Sequence, residues 1–234
     1  MAIKDQKTTL ILGATLGISL LYFLVGTPAF YEQHLGSFTE GGTYGFLAPS
    51  LYQFAVTLVL FFFFPRLIIS RVLGENPGSY GWQAGDRKAF WISLSWGIPL
   101  VLFLGWLASG QAAFKDQYPL FIAQYPDFSL AGQNITVFVL YEFIYIFYYI
   151  GWEFFFRGFV LFGLKERLGI PGALLIQALI STLLHLSKPA PELLTALPGG
   201  IIFGLVALRC RSVKAAIIAH WLLGFSLDLF ILLR

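Results

Sequence analysis

Seven apolar stretches, most of them close to the length that crosses a bilayer, leave this chain few folds to adopt. They run at 8–26, 46–64, 89–109, 134–163, 171–187, 193–208 and 213–232. A membrane span takes roughly 20 mainly apolar residues. Inside lipid such a stretch must be helical, because no water is present to meet an unpaired backbone N–H or C=O. The charge content agrees. Only 12% of residues are charged and 58% are hydrophobic, whereas soluble globular chains carry about 25% charged residues. A water-soluble core cannot hide that much apolar side chain at this chain length, and disorder demands the opposite composition. The expected fold is therefore all-α: a polytopic membrane helix bundle of about seven transmembrane helices, forming one membrane domain over 1–234.

The connecting segments carry the charge, and they carry it asymmetrically. Lys4 and Lys7 precede the first span. Arg66, Arg71, Arg87 and Lys88 lie between spans two and three, Lys165 and Arg167 follow span four, and Arg209, Arg211 and Lys214 follow span six. Alternate connections thus hold 11 of the 15 basic residues, the opposite side holds Lys115, Lys188 and Arg234, and Arg157 falls within a span. By the positive-inside rule this predicts a multi-pass protein of the cell membrane with a cytoplasmic N-terminus. The first apolar run is longer than a signal-peptide core of roughly 7–15 residues, and Thr27-Pro28-Ala29 is a poor cleavage site, so it reads as an uncleaved helix. The expected surroundings are the lipid bilayer. A net charge of +3 with no basic patch interleaved with aromatics gives no case for nucleic acid. Cys210, the lone cysteine, excludes an internal disulfide and a cysteine-rich metal site.

Several local features bend this outline. Pro99 sits mid-span and is expected to kink the third helix. Tyr80-Gly81-Trp82 reads as an interfacial anchor. The fourth stretch, Asn134 to Leu164, would be about 46 Å long at 1.5 Å per residue and must tilt, protrude or break, with Gly151 as one hinge.

Ionisable groups inside spans are costly and are functional candidates by default. Glu142, Glu153, Arg157, His185, His220 and Asp228 are the group here. Glu153 and Arg157, at i and i+4, share one helix side. They form either a structural ion pair or a charged catalytic carboxylate. A lone membrane histidine is commonly a packed, hydrogen-bonded residue. Two of them with a carboxylate suit other chemistry as well: a carboxylate base, an imidazole partner and an imidazole oxyanion donor around a water, or Glu153, His185 and His220 around zinc. Their depths differ. His220 lies about 9 Å into its span and His185 about 21 Å into its own, so convergence needs tilted or broken helices. Glu142, about 16 Å before Glu153 on the same face, reads as a polar lining or packing contact.

The order of these residues resembles the CPBP family, the CAAX prenyl endopeptidases and bacteriocin-processing membrane proteins, over about 134–232. The family's Glu-Glu-x-x-x-Arg motif falls on Trp152-Glu153-Phe154-Phe155-Phe156-Arg157. Its Phe-x-x-x-His motif falls on Ser181 to His185, and its His-x-x-x-Asn motif on His220 to Gly224. Trp152 thus stands where the first Glu belongs, Ser181 in place of Phe, and Gly224 in place of Asn. The resemblance implies His185 as partner of the base and His220 as oxyanion donor. Consecutive helical residues point about 100° apart, so Glu153 takes over the base role only if the helix rotates or bulges. Asp228, one turn beyond Gly224, is the candidate to replace the missing Asn.

The resulting expectation is an intramembrane endopeptidase. It would hydrolyse a peptide bond in a membrane-anchored protein or peptide with Glu153, His185 and His220, supported by Arg157 and Asp228, requiring no cofactor, with zinc as the alternative. The competing reading is a catalytically inactive relative, a membrane peptide-binding or immunity protein. A small transporter with a Glu–His proton relay is a third, against which the absence of an internal repeat counts.

Overall fold

The structure, a computed structural model, describes residues 2–39 and 41–234, with side chains from Asp5 onward. The Lys4 side chain, part of the count of basic residues in the connections, lies outside the described residues. The described residues are helical and contain no strand.

Helix α1 is Ala2–Val25, α2 is Gly45–Val72 and α3 is Arg87–Ala108. Next comes Asn134–Leu183, 50 residues without interruption in its helical assignment. It breaks at Gly169, whose φ of 71° and ψ of 166° are non-helical. That region is open essentially only to glycine. Pro171 follows and disfavours helical geometry at the residue before it. The arms on either side, 134–168 and 170–183, are here α4 and α5. Ala190–Cys210 is α6 and Lys214–Leu232 is α7.

Contacts with α6 show that α4 and α5 run in opposite directions. A Cβ on Gly200 would lie 3.1 Å from the Ala178 Cβ and 3.7 Å from Arg157 Nη2. A Cβ on Gly204 would lie 2.6 Å from Leu174 Cδ2 and 3.4 Å from Leu161 Cδ2. Four residues forward along α6 are thus four back along α5 and four forward along α4. Among the described residues six helical stretches are long and apolar enough to span a membrane, and folding the longest at Gly169 makes seven helical arms, roughly the expected number.

The connections gather at two ends. At one end Lys7 pairs with Glu75 at 2.9 Å, Arg167 with Asp5 at 2.9 Å, and the Asp86 N–H donates to the Cys210 carbonyl at 2.7 Å. At the other, Gln124 Nε2 donates to Glu32 and Arg234 Nη2 to the Trp106 carbonyl. The basic connections therefore share one end. Large apolar side chains point outward along the bundle, Trp96 being 79% exposed and Phe143 65%. Patches of that kind promote association in water and suit acyl chains, consistent with a multi-pass membrane protein.

Two local expectations are revised. Gly151 is not a hinge: it lies inside the regular helix Asn134–Glu153, and a Cβ there would meet the Thr57 carbonyl oxygen at 2.7 Å, so it allows close approach of α2 to α4. The irregularity falls just after it, where Phe154–Val160 forms a wide π turn. Tyr80 is not a lipid-facing anchor but is buried at 2% exposure, and its hydroxyl donates to Glu75. Pro99 lies inside the continuous helix Arg87–Ala108.

At the basic end, burial raises the Glu75 carboxyl, but the Tyr80 hydroxyl and the Lys7 ammonium outweigh it and hold the group below 4.5. A depressed carboxyl adds stability that is complete above its unfolded value and is lost as pH falls through the folded value. Glu75→Gln is therefore expected to lower the thermal midpoint at pH 7 in detergent, and the difference from the parent should close as pH falls below 4.5. A difference that persists in acid would show that Glu75 acts without its charge.

Candidate functional site

Trp152 and Glu153 are neighbours on α4, and each faces a different histidine. Successive helical side chains diverge by about 100°. The Glu153 Oε1 accepts a 2.7 Å hydrogen bond from His220 Nδ1 on α7. The Trp152 ring meets the His185 ring edge-on, with centroids 5.3 Å apart and planes at 88°. His185 lies two residues past the end of α5 at Leu183, where it closes a turn through its N–H to the Thr182 carbonyl. The antiparallel return of α5 is what brings His185 back to the level of Trp152.

Glu153 is fully buried. A buried carboxylate needs a counter-charge and donors. Arg157 Nε stands 3.3 Å from Oε2, with both side chains at 2% exposure or less. The Arg157 guanidinium also lies 5.7 Å from the Phe203 ring centroid. The His220 imidazole is held between Phe203, stacked at 4.9 Å, and Tyr149 at 4.8 Å. Because a carboxylate only accepts, Nδ1 carries the proton. Nε2, the other ring nitrogen, remains for chemistry, and the His220 side chain is 19% exposed.

His185 makes a different set of contacts. Its Nδ1 lies 2.8 Å from the Ser181 carbonyl, and its Nε2 lies 4.0 Å from Glu192 Oε1 in the first turn of α6. The Tyr118 hydroxyl donates to Glu192 Oε2 at 2.9 Å, and Lys188 Nζ donates to that hydroxyl at 3.0 Å. Thus Glu153 and His220 meet directly, while His185 has Glu192 as its carboxylate neighbour. Among the described residues no three His, Cys, Asp or Glu side chains gather as a metal site.

Asp228 interacts with Glu142 across the α7–α4 contact. Both carboxyls are buried without a protein donor. Glu142 is therefore one member of a buried carboxyl pair, and Asp228 is engaged there. Space at Gly224 is taken by Tyr149, since a Cβ on Gly224 would overlap the Tyr149 hydroxyl. The sequence reading passed over Tyr149, Glu192, Tyr118 and Lys188. Glu192 did leave a trace, as an acidic residue seven positions after His185 behind Pro189-Ala190-Pro191.

Residues 133–226 match the family model of the type II CAAX prenyl endopeptidases, Rce1-like. Over this region the chain is similar to that family. The match covers about two-fifths of the chain and contains every motif residue from Trp152 to Gly224. No curated protein and no solved structure matches the chain. Within the matched region two of the three motif departures have structural counterparts: Trp152 packs among Tyr148 and Phe156, and Tyr149 fills the place left by Gly224.

That complementarity is testable. Gly224→Ala is expected to cost about 1–3 kcal/mol of stability by overpacking. Tyr149→Phe in the same chain should recover part of the loss, with a coupling of about 0.5–3 kcal/mol in a double-mutant cycle. Thermal unfolding in detergent reads both, and additive effects would show that the two positions do not share the space.

Proposed function

We propose that the protein is an intramembrane endopeptidase that hydrolyses a peptide bond in a membrane-anchored protein or peptide. The observation that carries this is the 2.7 Å contact between Glu153 and His220, inside the region that matches the endopeptidase family. In this reading Glu153, kept charged by Arg157, is a positioning residue. It holds the His220 Nδ1–H and stabilises the imidazolium, so that Nε2–H is presented to the oxyanion of the tetrahedral intermediate. His185 is the imidazole partner of the attacking water. Asp228, paired with Glu142, supports the packing of α7 on α4. Glu153 Oε1 and His220 Nδ1 are engaged with each other, which supports chemistry without zinc. The basic residues gathered at one end support a protein of the cell membrane with its N-terminus in the cytoplasm.

One observation favours a second reading. Trp152, 2% exposed, occupies the motif position beside His185, as expected of an inactive relative that binds a membrane peptide without cutting it.

The two readings separate in one assay. The protein is reconstituted in phosphatidylethanolamine–phosphatidylglycerol vesicles with a mixed pool of lipid-anchored fluorogenic peptides, and products are identified by mass spectrometry. Cleavage is expected, falling about 10²-fold or more in His220→Ala. Glu153→Gln should lower kcat with little change in KM, as for an interaction realised in the transition state. Peptide retention without cleavage by the parent protein would favour the binding reading. A zinc chelator is expected to leave the rate unchanged, and loss of activity restored by zinc would return Glu153, His185 and His220 to the role of metal ligands.

A further inference from the structure

We propose that Glu192, a residue outside the family motifs, supplies the general base that Trp152 has displaced, and that it works with His185 on the attacking water. The inference rests on the endopeptidase reading and names the base within it.

The argument begins with hydrogen-bond roles. The Ser181 carbonyl can only accept, so its 2.8 Å contact with His185 fixes the proton on Nδ1. In the neutral ring Nε2 is then an acceptor. It faces Glu192 Oε1, also an acceptor, at 4.0 Å. That is too long for a direct hydrogen bond. A single water donating to both, with bonds of about 2.8 Å, would have its two partners about 90° apart, near the natural angle of the molecule.

Access points the same way. The His185 and Glu192 side chains are 14% and 22% exposed, whereas the Glu153 side chain is at 0%. A base must touch water and substrate, and Glu153 is sealed behind Arg157 and His220. Glu192 is also held in place. The Tyr118 hydroxyl reaches Oε1 at 3.1 Å and Oε2 at 2.9 Å, and Lys188 backs that hydroxyl at 3.0 Å. Its position in the first turn of α6 suits an anionic side chain. The Trp152 ring packs perpendicular to the His185 ring, with centroids 5.3 Å apart.

The proposed step balances within the protein and water. The water oxygen forms a bond to the scissile carbonyl carbon as Glu192 takes one of its protons, and the carbonyl π pair moves to oxygen as the oxyanion. When the C–N bond breaks, that proton passes from Glu192 to the departing amine nitrogen. The products are a carboxylic acid and an amine.

The vesicle assay with mixed lipid-anchored peptides tests this with three variants. Glu192→Gln keeps an acceptor for Tyr118 but cannot take a proton, and should lower kcat about 10²–10⁴-fold with KM nearly unchanged. Tyr118→Phe removes the hydroxyl that anchors the carboxylate but leaves the base itself, and should lower kcat by less than Glu192→Gln does. Added formate should restore turnover to Glu192→Ala. Glu192→Gln turning over within about threefold of the parent, while His220→Ala is inactive, overturns the role of Glu192 and leaves the endopeptidase reading intact. Failure of formate to restore a folded Glu192→Ala does the same. A parent protein that cleaves no peptide overturns both.

Discussion

A carboxylate with no exposed surface, set among phenylalanines in a bundle with apolar surroundings, cannot stay where it is without a counter-charge and donors. Glu153 obtains these from Arg157 on its own helix and His220 on α7. The desolvation of such a group is large, and removing one partner of a buried pair typically costs several kcal/mol. The ion pair therefore ties α4 to α7 and fixes the His220 ring at the same time. The π turn Phe154–Val160 starts at the next residue and carries Arg157 near its middle, so the departure from regular helix lies where the charges are.

Much of the bundle was legible in the residues because lipid simplifies the rules. Length and hydropathy gave seven stretches, and the alternation of basic connections matches the end at which Lys7, Glu75, Arg167 and Asp5 meet. The details that escaped depend on neighbours rather than on period. Gly151 resembles a hinge in one dimension, but its partner is the Thr57 carbonyl on another helix. Tyr80-Gly81-Trp82 has the composition of an interfacial anchor, yet Trp82 packs on Phe62 and Phe154.

The candidate site divides along the same line. Glu153 with Arg157 followed from spacing on a single helix, and the histidines from their rarity in spans. Which histidine meets which carboxylate depends on the relative register of α4, α5 and α7, and no periodicity encodes that. The apparent mismatch in depth between His185 and His220 assumed straight helices. Gly169 and Pro171 send α5 back along α4, and the turn after Leu183 then delivers His185 beside Trp152. Tyr149 was invisible for a similar reason: a missing side chain at Gly224 and a long one at Tyr149 are meaningful only when the two helices are seen in contact.

The replacement of a motif carboxylate by tryptophan is ordinarily read as loss of chemistry. Here the two adjacent positions face different histidines. Glu153, one position on and about 100° round the helix, meets His220 and Arg157 and is shut away from water. The Trp152 side chain closes the wall beside His185, and the carboxylate nearest that histidine comes from α6. A carboxylate at the start of α6 is anchored through Tyr118 and Lys188 and is partly exposed, the property that a sealed residue at position 152 or 153 lacks. On this argument the degeneracy of the first motif and the network around Glu192 are two sides of one rearrangement, and the fate of the carboxylate at Glu192 decides whether the site turns over.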